Sequence, residues 1–244
     1  MPVVSELILI RHGQSASNVA FPAADAEGSL ESGLTGRDAD VELTDVGRRQ
    51  AAAVGAWLAG LPAGRRPEVV ITSPYLRARE TWRLAADASG LSLPLPVTDD
   101  RLVDRMMGDL EMMTRAAIVQ RYPDELARLK TDGVYQYRPP TGESFGDIAK
   151  RLTSFLDDLN RDHAGKRVVV VAHDSVVLMA RVVIEGLDWE RTAAVEAERG
   201  VRNASITRFD GTSGRLVLDR YSVVDHLPEE SAAPPDQASP PDTA

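Results

Sequence analysis

Two histidines stand directly after apolar runs of the sequence. His12 ends the run LILIRH and His173 ends the run VVVVAH, and such continuous runs are typical of strands covered on both faces of a sheet. Because the carboxyl ends of parallel strands meet at one edge, we expect both imidazoles in one pocket. Arg11 precedes His12, and Arg77 and Arg79 follow a third run, EVVITS. The sequence therefore predicts a pocket with two imidazoles and two guanidiniums.

A pocket of this composition favours an anion over a metal ion. Guanidinium groups match the geometry of phosphate, whereas they repel a cation. Neighbouring positive charges lower the pKa of an imidazole, so that a histidine there is neutral near pH 7 and can attack phosphorus. The arginines and the second histidine then stabilise the charge that spreads over the phosphoryl oxygens. We expect phosphoryl chemistry without a metal or another cofactor, and a carboxyl group that protonates the leaving oxygen.

Each of these signals also has a purely structural interpretation. A histidine at a strand end is often a packed residue with satisfied hydrogen bonds, and arginine-rich helices such as LRARETWR commonly face solvent. The two strand-terminal histidines together with two arginine segments are a stronger signal than any one of them. The remaining histidines, His163 and His226, lie in polar surroundings and are interpreted as surface residues.

Composition limits the classes of protein that the chain can represent. Its 244 residues are enough for one large domain, and its net charge of -9 disfavours nucleic acid and anionic membranes as partners. The absence of cysteine excludes disulfides, thiolate catalysis and thiolate metal sites. The N-terminal MPVVSELILI lacks the basic region of a signal peptide, and no segment has the roughly 18 apolar residues of a membrane span. We expect a soluble, cytoplasmic protein.

Strands and helices alternate along the sequence. Continuous apolar runs predict strands at 7–10, 68–73 and 167–173, and the late segments NASITRFDG and GRLVLDRYSV predict an antiparallel hairpin. Residues 19–42 are interpreted as a loop. Helices are predicted after Thr44, from 74 to 88, at 114–121 and 123–130, after TGES and over 175–187. This order predicts an α/β fold with a mostly parallel sheet, a single domain over 1–227 and a disordered tail over 228–244.

The order of the motifs resembles one known family. RHGQSASN is similar to the signature of the histidine phosphatase superfamily, which has the phosphoglycerate mutase-like fold. Five further segments resemble motifs of that family in the same order, over residues 6 to about 222: LTDVGRRQA, TSPYLRARETW, YRPPTGES, VVVVAHDS and NASITRF. The resemblance implies a three-layer α/β/α arrangement and phosphoryl transfer through a phosphohistidine, without a metal.

The resemblance also implies roles for individual residues. His12 is the implied nucleophile, and the motif TSPYLRARETW selects Arg77 over Arg79, which we place on the outer face of its helix. By the same resemblance, the transferred phosphoryl group is bound by Arg11, Arg77 and His173. The pocket is completed by Asn18, Ser15 and Gln14.

The implied general acid departs from the family pattern. Where the family has glutamate in LxExxxG, this chain has Asp104 in RLVDRMMGDLE. Aspartate is one methylene shorter, so its carboxyl group needs the backbone or a water to bring it to the reacting oxygen. The neighbouring Asp109 and Glu111 are the alternatives. The structural interpretation of Asp104 is a surface ion pair with Arg101 or Arg105.

Two features bear on the substrate. The segment from GDLE to TGES is similar to fructose-2,6-bisphosphatase domains and to bacterial broad-specificity phosphatases, but Arg115 stands where the former have tyrosine. Arg115 and Tyr137 are the candidates for the substrate side. Asp174 stands where mutases tend to have glycine. We expect its carboxylate to orient His173 or to raise the pKa of His173, and to disfavour a second phosphate.

We therefore expect a phosphatase that acts on a small phosphorylated metabolite, such as a sugar phosphate. Two alternatives stay open: a cofactor-dependent phosphoglycerate mutase, and a non-catalytic phosphate-binding module on the same fold. The oligomeric state is open as well, with a homodimer as the alternative to a monomer.

Overall fold

A computed structural model describes residues 2–228. The predicted tail lies outside the described residues, except for Pro228. Within 2–228, no helix combines the length and the apolar character that a membrane crossing requires. The strands of this part are β1 Glu6–Arg11, β2 Val69–Thr72, β3 Val97–Thr98, β4 Arg167–Ala172, β5 Ile206–Asp210 and β6 Val217–Val223. Its α-helices are α1 Ser17–Glu27, α2 Asp45–Ala59, α3 Leu76–Ser89, α4 Arg115–Arg121, α5 Asp124–Asp132, α6 Phe145–Asp162, α7 Asp174–Glu185 and α8 Trp189–Glu198.

The strands form one mixed sheet in the order β3-β2-β4-β1-β5-β6. The first four strands of that order run parallel, β5 is antiparallel to β1, and β6 is antiparallel to β5. In the central pair, Arg11 lies opposite Ala172, and the His12 amide donates to the Ala172 carbonyl at 2.9 Å. The predicted α/β fold with a mostly parallel sheet is confirmed, and the pairing brings the two strand-terminal histidines side by side.

Helices cover both faces of the sheet, and the alternation of side chains along β1 decides which face each residue meets. Leu7 and Leu9 pack with α6 and α7, whereas Ile8 and Ile10 pack with α2 and α3. Successive residues of a strand point to opposite faces. His12 therefore follows Ile10 toward α3, which carries the arginine-rich segment. The three layers that the family resemblance implies are present.

Polar side chains begin the helices that flank the site. The Thr44 hydroxyl accepts a hydrogen bond from the Gly47 amide and so caps α2 as predicted. Ser144 and Asp147 form a capping box at the start of α6. The helix predicted from Pro74 begins at Leu76. The cap residues Thr44 and Ser144 therefore mark where α2 and α6 begin.

The interpretation of 19–42 as one loop was wrong, because α1 occupies its first part. Within α1 only Ala24 is buried, so the segment has no apolar stripe that a helical period could reveal. The helix α8 was missed for the same reason, since Thr192 is its only buried residue. The short strand β3 is exposed and was missed too.

A close backbone contact joins the loop after β1 to the first turn of α2. A Cβ atom added at Gly47 would overlap the carbonyl oxygen of Gln14. Alanine in a helix is normally favoured over glycine by up to about 1 kcal/mol, but overpacking against backbone costs about 1–3 kcal/mol.

We therefore expect Gly47→Ala to lower the free energy of unfolding by about 2 kcal/mol, measured by urea denaturation. Gly64→Ala is the control, because an added Cβ there meets no atom within 4 Å. A Gly47→Ala protein as stable as the wild type would contradict the close contact.

Candidate active site

His12 is buried beyond the carboxyl end of β1 with its ring orientation fixed. Its Nδ1 lies 2.7 Å from the Gly13 carbonyl oxygen, so Nδ1 carries the proton and Nε2 keeps a lone pair. The Nε of Arg77 donates to this Nε2 at 3.2 Å. Burial, and then the charges of Arg77, His173 and Arg11, hold the pKa of His12 well below 6.5. The nitrogen that faces Arg77 is therefore unprotonated near neutral pH.

Arg77 is the centre of the hydrogen-bond network of the site. It is buried in the first turn of α3, while Arg79 is exposed on the outer face as predicted. One terminal nitrogen donates to the Asp38 carbonyl at 2.7 Å and to Asp38 Oδ1 at 3.0 Å. The other donates to Asp38 Oδ2 at 3.0 Å and to Asp104 Oδ2 at 2.9 Å. With the bond to His12, all five N–H groups of this guanidinium have an acceptor.

His173 lies beside His12, with ring centroids 5.2 Å apart. Its Nδ1 is 3.3 Å from Asp104 Oδ2, and its Nε2 is 2.8 Å from the Ser73 hydroxyl oxygen. Because an ionised carboxylate only accepts, Nδ1 carries the proton and Ser73 donates to Nε2. The two imidazoles therefore meet in one pocket, as the sequence predicts.

Asp104 belongs to this pocket and is not a surface ion-pair residue. Its Oδ1 accepts from the Ser175 hydroxyl at 2.7 Å, and its Oδ2 contacts Arg77 and His173. Burial acts to raise the pKa of Asp104, but His173, Arg77 and Ser175 outweigh it and hold this pKa well below 3.8. The carboxyl group is therefore ionised in the free protein.

The side chains that would form the surface alternative have other partners. The Arg101 guanidinium binds Asp99 and Asp158. The Arg105 guanidinium donates to the carbonyl oxygens of Tyr137 and Glu143, both at 2.9 Å. The side-chain partners of the Asp104 carboxylate are therefore Arg77, His173 and Ser175. It also accepts a hydrogen bond from the Arg105 backbone amide at 2.8 Å.

Asp174 follows His173 in the sequence, but its carboxylate pairs with Arg11. Its carboxylate lies 3.2 Å from the Arg11 guanidinium, which also donates to the Val201 carbonyl at 2.7 Å. Burial lowers the pKa of His173 in spite of the nearby carboxylates. Asp174 acts to raise the pKa of His173, as expected, but burial outweighs this effect. The expectation that Asp174 orients His173 was wrong, because the ring nitrogens of His173 face Asp104 and Ser73. Asp174 instead adds a negative charge beside Arg11.

The loop after β1 holds Asn18 by its carboxamide oxygen. This oxygen accepts from the amide and hydroxyl of Ser15, both at 2.9 Å, and from Asn203 Nδ2 at 3.1 Å. Three donors on the oxygen leave the Nδ2 group of Asn18 as the end that can bind an anion. Ser15 is fully buried and therefore positions Asn18.

Gln14 is engaged with α2. Its side-chain oxygen accepts from the Thr44 hydroxyl at 2.8 Å, and its backbone amide donates to Gln50 at 2.8 Å. Asn203, which also donates to the His12 carbonyl at 3.2 Å, was not predicted as a site residue. The segment NASITRF contains it, and that motif was the available signal.

Asp38 is a further site residue that the sequence did not reveal, as are Ser73 and Ser175. It lies in a short 3-10 turn, Asp38–Asp40, and its side chain is 25% exposed. Its backbone amide donates to Glu111 Oε1 at 2.8 Å. Burial raises the pKa of Asp38, against the opposing effect of Arg77. Glu111, one alternative acid, is thus engaged with this turn, and Asp109, the other, accepts from Thr141 at 2.7 Å.

The two candidates for the substrate side differ in position. Tyr137 is 4% exposed, and its hydroxyl donates a hydrogen bond to Glu125 at 2.6 Å. Its backbone carbonyl accepts a hydrogen bond from the Arg105 guanidinium. Arg115 is exposed at the start of α4, where its amide donates to Asp25 at 2.8 Å. The structure therefore gives the Tyr137 hydroxyl a structural partner and leaves the Arg115 side chain at the surface.

The two remaining histidines lie away from the pocket. His163 is partly exposed after α6, as expected of a surface residue. His226 is partly exposed as well, but its Nε2 lies 3.1 Å from the Ala204 carbonyl oxygen and its ring lies beside Trp57. The segment after β6 therefore packs against α2, which the interpretation of His226 as a plain surface residue did not include.

The pocket also contains a set of atoms that could in principle bind a metal ion. Ligand atoms of His12, Asp104 and His173 lie within 4.8 Å of one another. However, the Arg77 guanidinium donates to both His12 and Asp104 at this place. A cation would have to displace these bonds and lie beside a permanent positive charge. The donor set therefore suits an anion better than a metal.

Comparison with known proteins places this geometry in a family. Residues 7–224 match the family model described as histidine phosphatase superfamily, branch 1. A 2,3-bisphosphoglycerate-dependent phosphoglycerate mutase 2 of Gloeobacter violaceus is 31% identical over 220 residues, which cover 89% of this chain and 93% of the relative. A metal-independent phosphoserine phosphatase of Arabidopsis thaliana is 27% identical, over 92% of this chain and 84% of the relative. The solved structure of a mycobacterial glucosyl-3-phosphoglycerate phosphatase with VO3 is 27% identical, with a TM-score of 0.65 over 91% of this chain and all of that chain.

Proposed function

The chain belongs to the histidine phosphatase superfamily, and we propose that it is a phosphatase that hydrolyses a small phosphomonoester through a phosphohistidine on His12. The observation that carries the proposal is the state of His12: its Nδ1 is bound to a carbonyl, its pKa is well below 6.5, and its Nε2 faces Arg77. A neutral nitrogen beside a guanidinium is suited to attack phosphorus while the oxygens are bound.

In the first step, a bond forms between His12 Nε2 and phosphorus as the bond from phosphorus to the ester oxygen breaks. Arg77 and His173 Nδ1 share Asp104 Oδ2 in the free protein. We expect their donors, with Arg11 and Asn18, to turn to the phosphoryl oxygens when substrate binds. The leaving oxygen takes a proton from Asp104 and departs as the alcohol.

Protonation of Asp104 depends on the substrate. In the free protein its pKa is low because His173 and Arg77 stabilise the carboxylate. A phosphoryl dianion that takes over these donors places negative charge beside the carboxylate, and both effects raise the pKa of Asp104. In the second step, water attacks phosphorus while the bond from phosphorus to His12 Nε2 breaks. Asp104 accepts a proton from that water, and orthophosphate is released.

A mutase is the second candidate, because the Gloeobacter violaceus relative carries that name. A mutase has to retain a bisphosphate, and this requires positive charge for the second phosphate. Here Asp38 and Asp174 place two carboxylates against the phosphate-binding arginines. This charge supports hydrolysis of a monophosphate over retention of a bisphosphate.

The test is a product assay on a panel of sugar phosphates, phosphoglycerates, phosphoserine and p-nitrophenyl phosphate. We expect release of orthophosphate. Conversion of 3- to 2-phosphoglycerate that is stimulated by 2,3-bisphosphoglycerate, with little orthophosphate, would favour the mutase. No turnover of any substrate from about pH 4 to about pH 9 would favour a non-catalytic binding module.

The protonation state of His12 can be measured directly. Its depressed pKa means that the ring takes up a proton only well below pH 6.5, whereas an ordinary histidine is half protonated there. We expect ¹⁵N NMR of the free protein to show a neutral His12 ring with the proton on Nδ1 at pH 6.5. The His12→Asn protein assigns the signal. A ring that is half protonated near pH 6.5 would contradict the proposed nucleophile.

A further inference from the structure

In the free protein, Asp38 occupies N–H groups of Arg77 that the proposed reaction needs for the phosphoryl oxygens. Asp38 takes two N–H groups of Arg77 with its two carboxylate oxygens, both at 3.0 Å, and a third with its backbone carbonyl at 2.7 Å. A carboxylate bound in this forked manner matches the way in which arginine binds two phosphate oxygens. Asp38 therefore stands in the place of a phosphoryl group on Arg77.

The turn that carries Asp38 is held from two sides. Glu111 Oε1 accepts a hydrogen bond from the Asp38 backbone amide at 2.8 Å. Arg37 forms an ion pair with Asp40 at 2.9 Å on the surface of the turn. Arg77 holds the backbone carbonyl separately from the side chain. Rotation of the Asp38 carboxylate alone therefore frees two donors of Arg77 without moving the turn.

The charges at this place make the contact readily exchangeable. Asp38 shares the guanidinium of Arg77 with Asp104, so two carboxylates lie against one cation. A phosphoryl dianion offers more negative charge and more acceptor oxygens than one carboxylate. It can therefore replace Asp38, while a carboxylate ligand gains no such advantage.

We propose that Asp38 is an affinity-determining residue of the phosphoryl site, an internal competitor that anions must displace from Arg77 and that returns to expel the product. The inference rests on the proposed function for the product that is expelled, orthophosphate. An anion can bind Arg77 only in the fraction of molecules in which the Asp38 carboxylate has turned away. The affinity of every such anion is therefore its intrinsic affinity multiplied by this same fraction. Removal of the carboxylate therefore tightens all such anions by a common factor.

The experiment is isothermal titration calorimetry of the full chain with inorganic phosphate and, separately, with sulfate. For Asp38→Asn and Asp38→Ala we expect the Kd of both anions to fall about tenfold or more below the wild-type values, by similar factors. Steady-state assays are expected to show product inhibition by orthophosphate that is stronger by the same factor. The asparagine variant keeps the shape of the side chain, so the fold is maintained while the charge is removed.

Asp40→Asn is the matched control, since it removes the same charge from the same turn without touching Arg77. Its affinity for phosphate is expected to equal that of the wild type. Equal tightening in Asp40→Asn, or no tightening in either Asp38 variant, would overturn the proposal. A large loss of kcat in Asp38→Asn with unchanged phosphate affinity would overturn it as well and make Asp38 a group of the chemical step. If the Asp38 variants bind phosphate more tightly but the wild-type protein hydrolyses no phosphomonoester, this inference is supported and the proposed function is contradicted.

Discussion

Replacement of His12 by alanine is expected to lower kcat/KM for a phosphomonoester by about 10⁴-fold or more. In the proposed mechanism the imidazole forms the bond to phosphorus, and the surrounding arginines and His173 are donors that do not replace it. His173 lies close, but its Nε2 is bound to Ser73 and its Nδ1 faces Asp104. The rate is measured with p-nitrophenyl phosphate and with the best substrate of the panel.

Two controls separate chemistry from folding in this experiment. His163→Ala changes a partly exposed histidine after α6 and is expected to retain wild-type activity. Far-ultraviolet circular dichroism and the urea midpoint are expected to show that His12→Ala is folded. A folded His12→Ala protein with more than about a tenth of the wild-type kcat/KM would contradict nucleophilic catalysis by His12.

Replacement of Asp104 by asparagine is expected to have an effect that depends on the leaving group. An alkyl phosphomonoester releases a poor leaving group, so loss of the general acid lowers kcat by about 10²- to 10⁴-fold. p-Nitrophenol leaves as a stable anion that needs no proton, so the loss of kcat with that substrate is expected to be much smaller. This difference identifies proton transfer and distinguishes it from a general disturbance of Arg77, which would affect both substrates equally.

The matched control for Asp104 is Asp109→Asn. Asp109 is exposed and binds Thr141, and the sequence offers it as an alternative acid. We expect Asp109→Asn to retain wild-type kcat with both substrates. If Asp104→Asn is equally slow with both substrates, or if Asp109→Asn shows the dependence on the leaving group, Asp104 is not the general acid.

The pocket could be predicted from the sequence where a local pattern ends at one of its residues. The apolar runs of β1 and β4 end at His12 and His173, and parallel pairing necessarily brings such ends together. The same alternation along β1 that buries Ile10 against α3 directs His12 toward Arg77. The ends of two strands and the helix after a third strand therefore sufficed to predict that His12, His173 and Arg77 meet in one pocket.

Other parts of the site depend on contacts that no local pattern records. Asp38 meets Arg77 across 39 positions of sequence, and nothing near it distinguishes it from Asp40 two residues later. Asn203 was visible only as part of a strand motif, and its contact with Asn18 spans 185 positions. Such side chains acquire their roles from the way loops pack over the sheet edge, which periodicity and capping do not determine.

Capture of the covalent intermediate is the direct test of nucleophilic attack by His12. The protein is mixed with a turned-over phosphomonoester, quenched within milliseconds in alkaline denaturant, digested and analysed by mass spectrometry. Nucleophilic attack by His12 predicts a phosphoryl group on the peptide that contains His12, and none on that peptide from the His12→Ala protein. A phosphoryl group on another residue, or a protein that turns over substrate while no residue is labelled, would contradict it.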